Sequence, residues 1–122
     1  MCVYLATISD SEYFDETKVY KNIGNSLKYI YENLKLISTK YIENCNFFDR
    51  DYIQEYFTEE FIKQFNGRIN CKSEFGEFFI EKINENKYKF FFVCFQSFET
   101  YQSKREQNPF CICELEILDL LD

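Results

Sequence analysis

Residues 90–95 read FFFVCF, six apolar residues in a row. Successive side chains of a strand point to opposite faces, so this run puts apolar groups on both. It predicts an interior strand, covered on both sides, with Phe92 and Cys94 facing away from Phe91, Val93 and Phe95. No longer apolar run exists in the chain, and a membrane-spanning helix needs ~20 such residues. The flanking sequence, EFFIEKINENKYKFFFVCFQSF over 77–98, extends the strand into a β-hairpin turning at Asn84–Lys87.

The first half reads differently. CVYLATI, residues 2–8, is apolar on both alternating faces and predicts a second interior strand. DSEYFDE (10–16) reads as a loop, and Lys18–Tyr20 as a short extended piece. Ile23, Leu27, Ile30, Tyr31, Leu34 and Ile37 share one helical face, with Asn22 as its N-cap. Tyr41, Ile42, Cys45 and Phe48 carry the helical spacing onward. Asp49 or Asp51 is placed to cap a further helix whose face is Ile53, Tyr56, Phe57, Phe61, Gln64 and Phe65, with Asn66–Gly67 as its stop. ETYQSKREQNP (99–109) is a polar loop, and FCICELEIL (110–118) a final strand.

With 122 residues, no Gly/Ser linker and no internal repeat, residues 1–122 form one domain. The expected class is α+β: a single antiparallel sheet of four or five strands with two or three helices on one face, in the order β-(β)-α-α-β-β-β.

Six cysteines and no histidine raise the question of what Cys111 and Cys113 do. Strand alternation sets Cys111, Cys113, Leu115 and Ile117 on one face, against Phe110, Ile112, Glu114 and Glu116 on the other. The thiols thus keep company with Leu and Ile, and free cysteine packs as a small hydrophobe. A zinc site wants ligand pairs two to four residues apart from two loops, whereas cysteines 2, 45, 71 and 94 are scattered singly. Cys-x-Cys also lacks the helix-start arrangement that lowers a thiol pKa. Packing is the preferred reading.

Other chemistries find little support in the residues. Phe90, Phe92, Val93 and Phe95 match the central strand of RNA-recognition domains, but Tyr88, Lys89 and Phe91 replace its basic, glycine and small positions. A net charge of −7 opposes phosphate binding. No histidine can serve as base to a nucleophile, and three glycines make no phosphate loop. Asp10, Glu12, Asp15 and Glu16 lack the glycine and spacing of a calcium loop. The expectation is a non-enzymatic protein without metal or cofactor.

What remains is the placement of charge. Residues 1–17 and 106–122 carry nine acids and no lysine or arginine, while residues 18–105 sum to +2. If the first and last strands pair in parallel, the 10–16 loop and the acidic tail meet on one surface; if antiparallel, the patch divides. Such a surface draws basic, nucleic-acid-binding proteins by fast association rather than binding nucleic acid itself. The candidate contacts are Asp10, Glu12, Tyr13, Phe14, Asp15, Glu16, Glu114, Glu116 and Asp119, with Tyr101 as a further aromatic.

Asn, Lys, Ile, Tyr and Phe fill 58 of 122 positions, and Gly, Ala, Arg and Pro only 8, which points to an AT-rich genome. The first ten residues, MCVYLATISD, carry no basic stretch ahead of the apolar ones, so a reducing cytoplasm is expected, the host's if a phage encodes the chain. VYLATISDSEYFDETKVYKNIGNSLKYIYENL, followed by a hairpin and CICELEILDLL, resembles small single-domain accessory proteins of phages and mobile elements, notably acidic anti-CRISPR and other anti-defence inhibitors. The resemblance is one of size and charge over most of the chain and carries no functional residue across. It implies an inhibitor seated on a basic site of a host nucleic-acid-processing complex. The competing expectations are a homo-oligomeric structural or immunity-type protein, such as a homodimer, and thirdly a thiol- or metal-dependent enzyme.

Overall fold

A computed structural model describes residues 1–10, 15–42, 44–94 and 111–120. Six strands form one sheet: β1 (Cys2–Asp10), β2 (Asp15–Tyr20), β3 (Arg68–Lys72), β4 (Gly76–Asn84), β5 (Lys87–Cys94) and β6 (Cys111–Asp119). Their spatial order is β2-β1-β6-β5-β4-β3, and every neighbouring pair is antiparallel. The class is α+β as expected, with one strand more than the upper count. The extra strand is β3, which the sequence reading passed over. β2 also begins earlier than Lys18, so Asp15 and Glu16 belong to a strand rather than a loop.

Helix α1 (Ile23–Tyr41) starts where expected, with the Asn22 side chain accepting from the Asn25 amide at 3.2 Å. Leu27, Ile30, Leu34 and Ile37 are all buried. Two serines also sit on the buried side, and each hydroxyl donates to a carbonyl one turn back: Ser26 to Ile23 at 2.7 Å and Ser38 to Lys35 at 2.9 Å. The helical spacing does not run on past Tyr41. Asn44 takes φ 60°, and Phe47–Asp49 is a single 3₁₀ turn.

The second helical region is broken as well. Helix α2 (Asp51–Gln54) has Arg50, not an aspartate, at its N-cap and no side-chain cap bond. Asp49 is instead ion-paired to Lys35 at 2.5 Å. A 3₁₀ turn at Glu55–Phe57 leads to Thr58, whose hydroxyl caps helix α3 (Glu59–Gln64) by accepting from the Phe61 amide at 3.3 Å. The predicted face survives the break: Ile53, Phe57 and Phe65 are buried, Tyr56 and Phe61 half-buried, and only Gln64 is exposed. Gly67, at φ 101°, reverses the chain into β3.

All these helical segments lie on one side of the sheet. The core is aromatic. Phe47 and Phe48 meet edge to face at 5.0 Å and both touch Phe78 and Phe92, while Phe57 stacks on Phe78 and Phe90 at 5.8 and 5.3 Å. Such ring pairs add about 0.5–1.5 kcal/mol each beyond the area they bury. Phe92 is thus an interior residue as expected, but its strand is covered by helices on one side only among the described residues. Phe91, on the other side, is shielded by its strand neighbours. Phe95 and the 99–109 loop lie outside the described residues.

Two substitutions test this packing. Phe92→Ala is expected to cost ~3–5 kcal/mol in denaturant unfolding, from lost burial and the cavity left among Phe47, Phe48 and Phe78. Leu34→Asp puts an unpaired charge under α1 and is expected to abolish the near-ultraviolet circular dichroism of the folded domain.

Candidate functional site

The parity of each strand assigns its residues to a face. Ala6, Ile8, Phe78, Ile80, Tyr88, Phe90, Phe92, Cys113 and Leu115 are buried against the helices. Their chain neighbours form the opposite, outer face. Registers across the sheet turn that face into rows. One row reads Thr17, Thr7, Glu114, Lys89, Glu81, Arg68; the next reads Asp15, Ser9, Ile112, Phe91, Phe79, Asn70.

The centre of this face on β4 and β5 is a ring pair. Phe79 and Phe91 stack with centroids 4.6 Å apart and planes 12° from parallel. Cations cover them: Arg68 lies 4.8 Å from the Phe79 ring centre and Lys89 5.3 Å from that of Phe91. Arg68 also reaches Glu81 at 3.3 Å, and Asn70 donates to Glu77 at 2.7 Å. The long side chains of Arg68 and Lys89 lie against the rings, and Phe91 is only 9% exposed with no helix above it among the described residues.

The other half of the outer face, on β2, β1 and β6, differs in charge. It holds Asp15, Glu114 and Glu116 among Val3, Leu5, Thr7, Ser9, Thr17, Val19, Ile112 and Leu118, with no lysine or arginine. At the border, Lys87 of β5 reaches Glu114 at 3.3 Å. Thr7 and Thr17 link their hydroxyls at 3.0 Å, and Ser9 donates to Asp15 at 3.1 Å.

The antiparallel pairing of β1 with β6 decides the fate of the expected acidic patch. Asp10 faces Cys111 and Cys2 faces Asp119 in the register. The two acidic ends are therefore separated by nearly the full strand length, ~27 Å at 3.4 Å per residue. Exposed charges at that separation are screened from one another, since the Debye length is about 8 Å at physiological salt. The described acids therefore do not form the single surface that a parallel pairing would build. Glu114 and Glu116 lie mid-strand on the outer face. Asp15 joins them, whereas Glu16 turns to the helix side and meets Lys18 at 3.7 Å. Asp119 lies at the far end, 3.6 Å from the terminal ammonium of Met1. Glu12, Tyr13, Phe14 and Tyr101 fall outside the described residues.

Cysteine placement follows the packing expectation where it can be followed. Cys113 and Cys45 are buried, Cys71 half-buried and Cys2 exposed, all as free thiols. Among the described residues, no three of His, Cys, Asp and Glu are grouped to hold a metal ion. Phe90 and Phe92, which match the RNA-recognition strand, are core residues. Missing from the sequence reading were Arg68, Phe79, Lys89 and Phe91 as one group. The available signal was that Phe79, Phe91 and Lys89 all take the solvent-side parity of the hairpin.

On the helix side, Tyr29 stands apart. Its ring lies 5.8 Å from that of Tyr20 and under the Lys18 ammonium at 4.8 Å, and its hydroxyl oxygen is buried without a partner in hydrogen-bond geometry among the described residues. Burial first, and then the Glu16 carboxylate, push its pKa up to about 12. Comparison with protein-family models, curated proteins and solved structures finds no match to this chain.

A phenol whose folded pKa exceeds its unfolded value near 10 supports the fold fully below pH 10 and loses that support as pH rises toward 12. Tyr29→Phe removes both this titration and an unsatisfied hydroxyl. The variant is expected to melt no lower than wild type at pH 7 and to lose less Tm between pH 10 and 12. Thermal melts by circular dichroism across that range check it.

Proposed function

We propose that this chain is an acidic protein-binding module, acting without chemistry of its own as an inhibitor of a nucleic-acid-processing complex in the manner of anti-CRISPR and anti-defence proteins. Its contact surface is the outer face of β2, β1 and β6. The observation that carries this reading is the one-sidedness of the sheet: among the described residues the helices cover one face, and on the other β2, β1 and β6 present Asp15, Glu114 and Glu116 with no lysine or arginine. Apolar Leu5, Ile112, Leu118 and Val19 lie in the same rows as the acids or next to them, and Val19 is 62% exposed. That mixture suits a partner whose basic groups surround small apolar anchors. A site evolved for phosphates on nucleic acid would meet carboxylates spaced along a strand instead.

The test is a partner captured from bacterial lysate and then measured by surface plasmon resonance at low and high salt. Asp15→Asn, Glu114→Gln and Glu116→Gln together are expected to slow association at least about tenfold at low salt, with little change at high salt. Lys28→Gln, on the exposed side of α1, is expected to leave association unchanged. If the triple variant associates as fast as wild type at low salt, the acids serve solubility alone. Salt-insensitive self-association in sedimentation would then favour the homo-oligomeric reading.

A further inference from the structure

We propose that the free edge of β3 is a second docking site, taking an extended acidic segment of a partner protein as a seventh strand of the sheet. β3 has β4 as its neighbour on one side and no described strand on the other, so alternate backbone amides and carbonyls along Arg68–Lys72 have no strand partner among the described residues. An added strand satisfies them and takes its specificity from alternate side chains.

The two faces of β3 define those side chains. On the outer face, Arg68, Asn70 and Lys72 are exposed. Arg68 and Lys72 stand four residues apart, ~13 Å along the strand. Lys72 makes no ion pair with any described residue, and Arg68, though it reaches Glu81, keeps a side chain 58% exposed. An incoming strand with acids four residues apart places one opposite each base, a cross-strand arrangement that favours opposite charges. On the helix face, Ile69 lines an open groove of about 370 Å³ with Phe61, Gln64, Phe65 and Asn66. Its apolar wall is the stacked pair Phe61 and Phe65, 5.4 Å apart, with Tyr56 behind Phe61 at 4.9 Å. The residue of the incoming strand that faces Ile69 enters this groove, so an apolar side chain is required there. The recognised pattern is acid, apolar, any, apolar, acid.

A second copy of the chain fits this edge poorly. Antiparallel pairing of β3 with itself sets Arg68 opposite a second copy's Lys72, and like charges directly opposed destabilise a sheet. The other edge, β2, carries a lysine at position 18 where the helix-side pattern wants an apolar residue. The proposal does not depend on the outer-face reading above, because the free edge of β3 lies in the opposite half of the sheet from the β2–β1–β6 acids, with β5 and β4 between them.

The experiment titrates the isotopically labelled full chain with two blocked seven-residue peptides, TEITFET and its basic counterpart TKITFKT, and follows backbone amide resonances. With the acidic peptide, amides of residues 65–72 are expected to shift, and binding is expected to be at least about tenfold tighter than for the basic peptide. The double variant Arg68→Glu/Lys72→Glu, whose dispersed spectrum reports that it folds, is expected to reverse that preference. Phe61→Ala is expected to weaken the acidic peptide without reversing it. Absence of shifts at millimolar peptide overturns the proposal and makes the two bases a guard against edge-to-edge aggregation. Equal binding of both peptides overturns it in favour of an apolar groove alone. Shifts at β3 on simple concentration of the protein overturn it in favour of self-pairing.

Discussion

The structure depends on the nine-residue antiparallel register between β1 and β6. Without it the chain falls into two incomplete pieces, a β1–β2 hairpin with α1 and a β3–β6 meander with the short helices. Neither piece encloses its apolar surface. β1 brings Ala6 and Ile8 beside Leu115 and Cys113, and α1 rests on that seam. The seam therefore turns a helix that packs on two N-terminal strands into one that also packs on β6, the strand that leads into the rest of the sheet.

The same register sorts charge. Because β1 and β6 run in opposite directions, Asp10 and Asp119 end up at opposite ends of the seam. What the sheet gathers instead are the carboxylates of β6 and β2 on one half, and the bases of β3 and β5 on the other. On the basic half three cations have local work: Arg68 and Lys89 roof the Phe79–Phe91 stack, and Lys87 holds Glu114. The outer face is thus neither uniformly acidic nor uniformly apolar, and its polarity runs across the strands rather than along them.

Much of the fold was legible because single elements announce themselves. Asn22 and the Leu27–Ile30–Leu34–Ile37 stripe specify α1 locally, and the residues around Asn84 specify the hairpin. β3 was not legible because RINCK offers just Ile69 and Cys71 as inward residues, and five residues behind Asn66–Gly67 read equally well as loop. The helical spacing after Ser38 misled because apolar residues feed one core whether the helix continues or breaks: Phe48, Phe57 and Phe65 reach the same cluster from a 3₁₀ turn, a second turn and a C-cap. The candidate site was least legible. Alternation in Cys111–Asp119 gives the same two faces in a parallel or antiparallel pair, so strand direction, on which the acidic surface depended, is invisible to it. The Phe79–Phe91 stack was likewise hidden inside two apolar runs.

The β1–β6 seam also bears on how the protein is made. β1 is translated well before its central partner β6, with about a hundred residues in between. At roughly 5–20 residues per second, β1 waits on the order of ten seconds with one edge unpaired and apolar side chains on both faces. Through that interval the nascent chain presents the kind of strand that trigger-type chaperones shield and that neighbouring nascent chains on a polysome can capture. Codon choice late in the message, by setting how soon β6 arrives, therefore acts on the yield of folded protein as directly as any residue in its core.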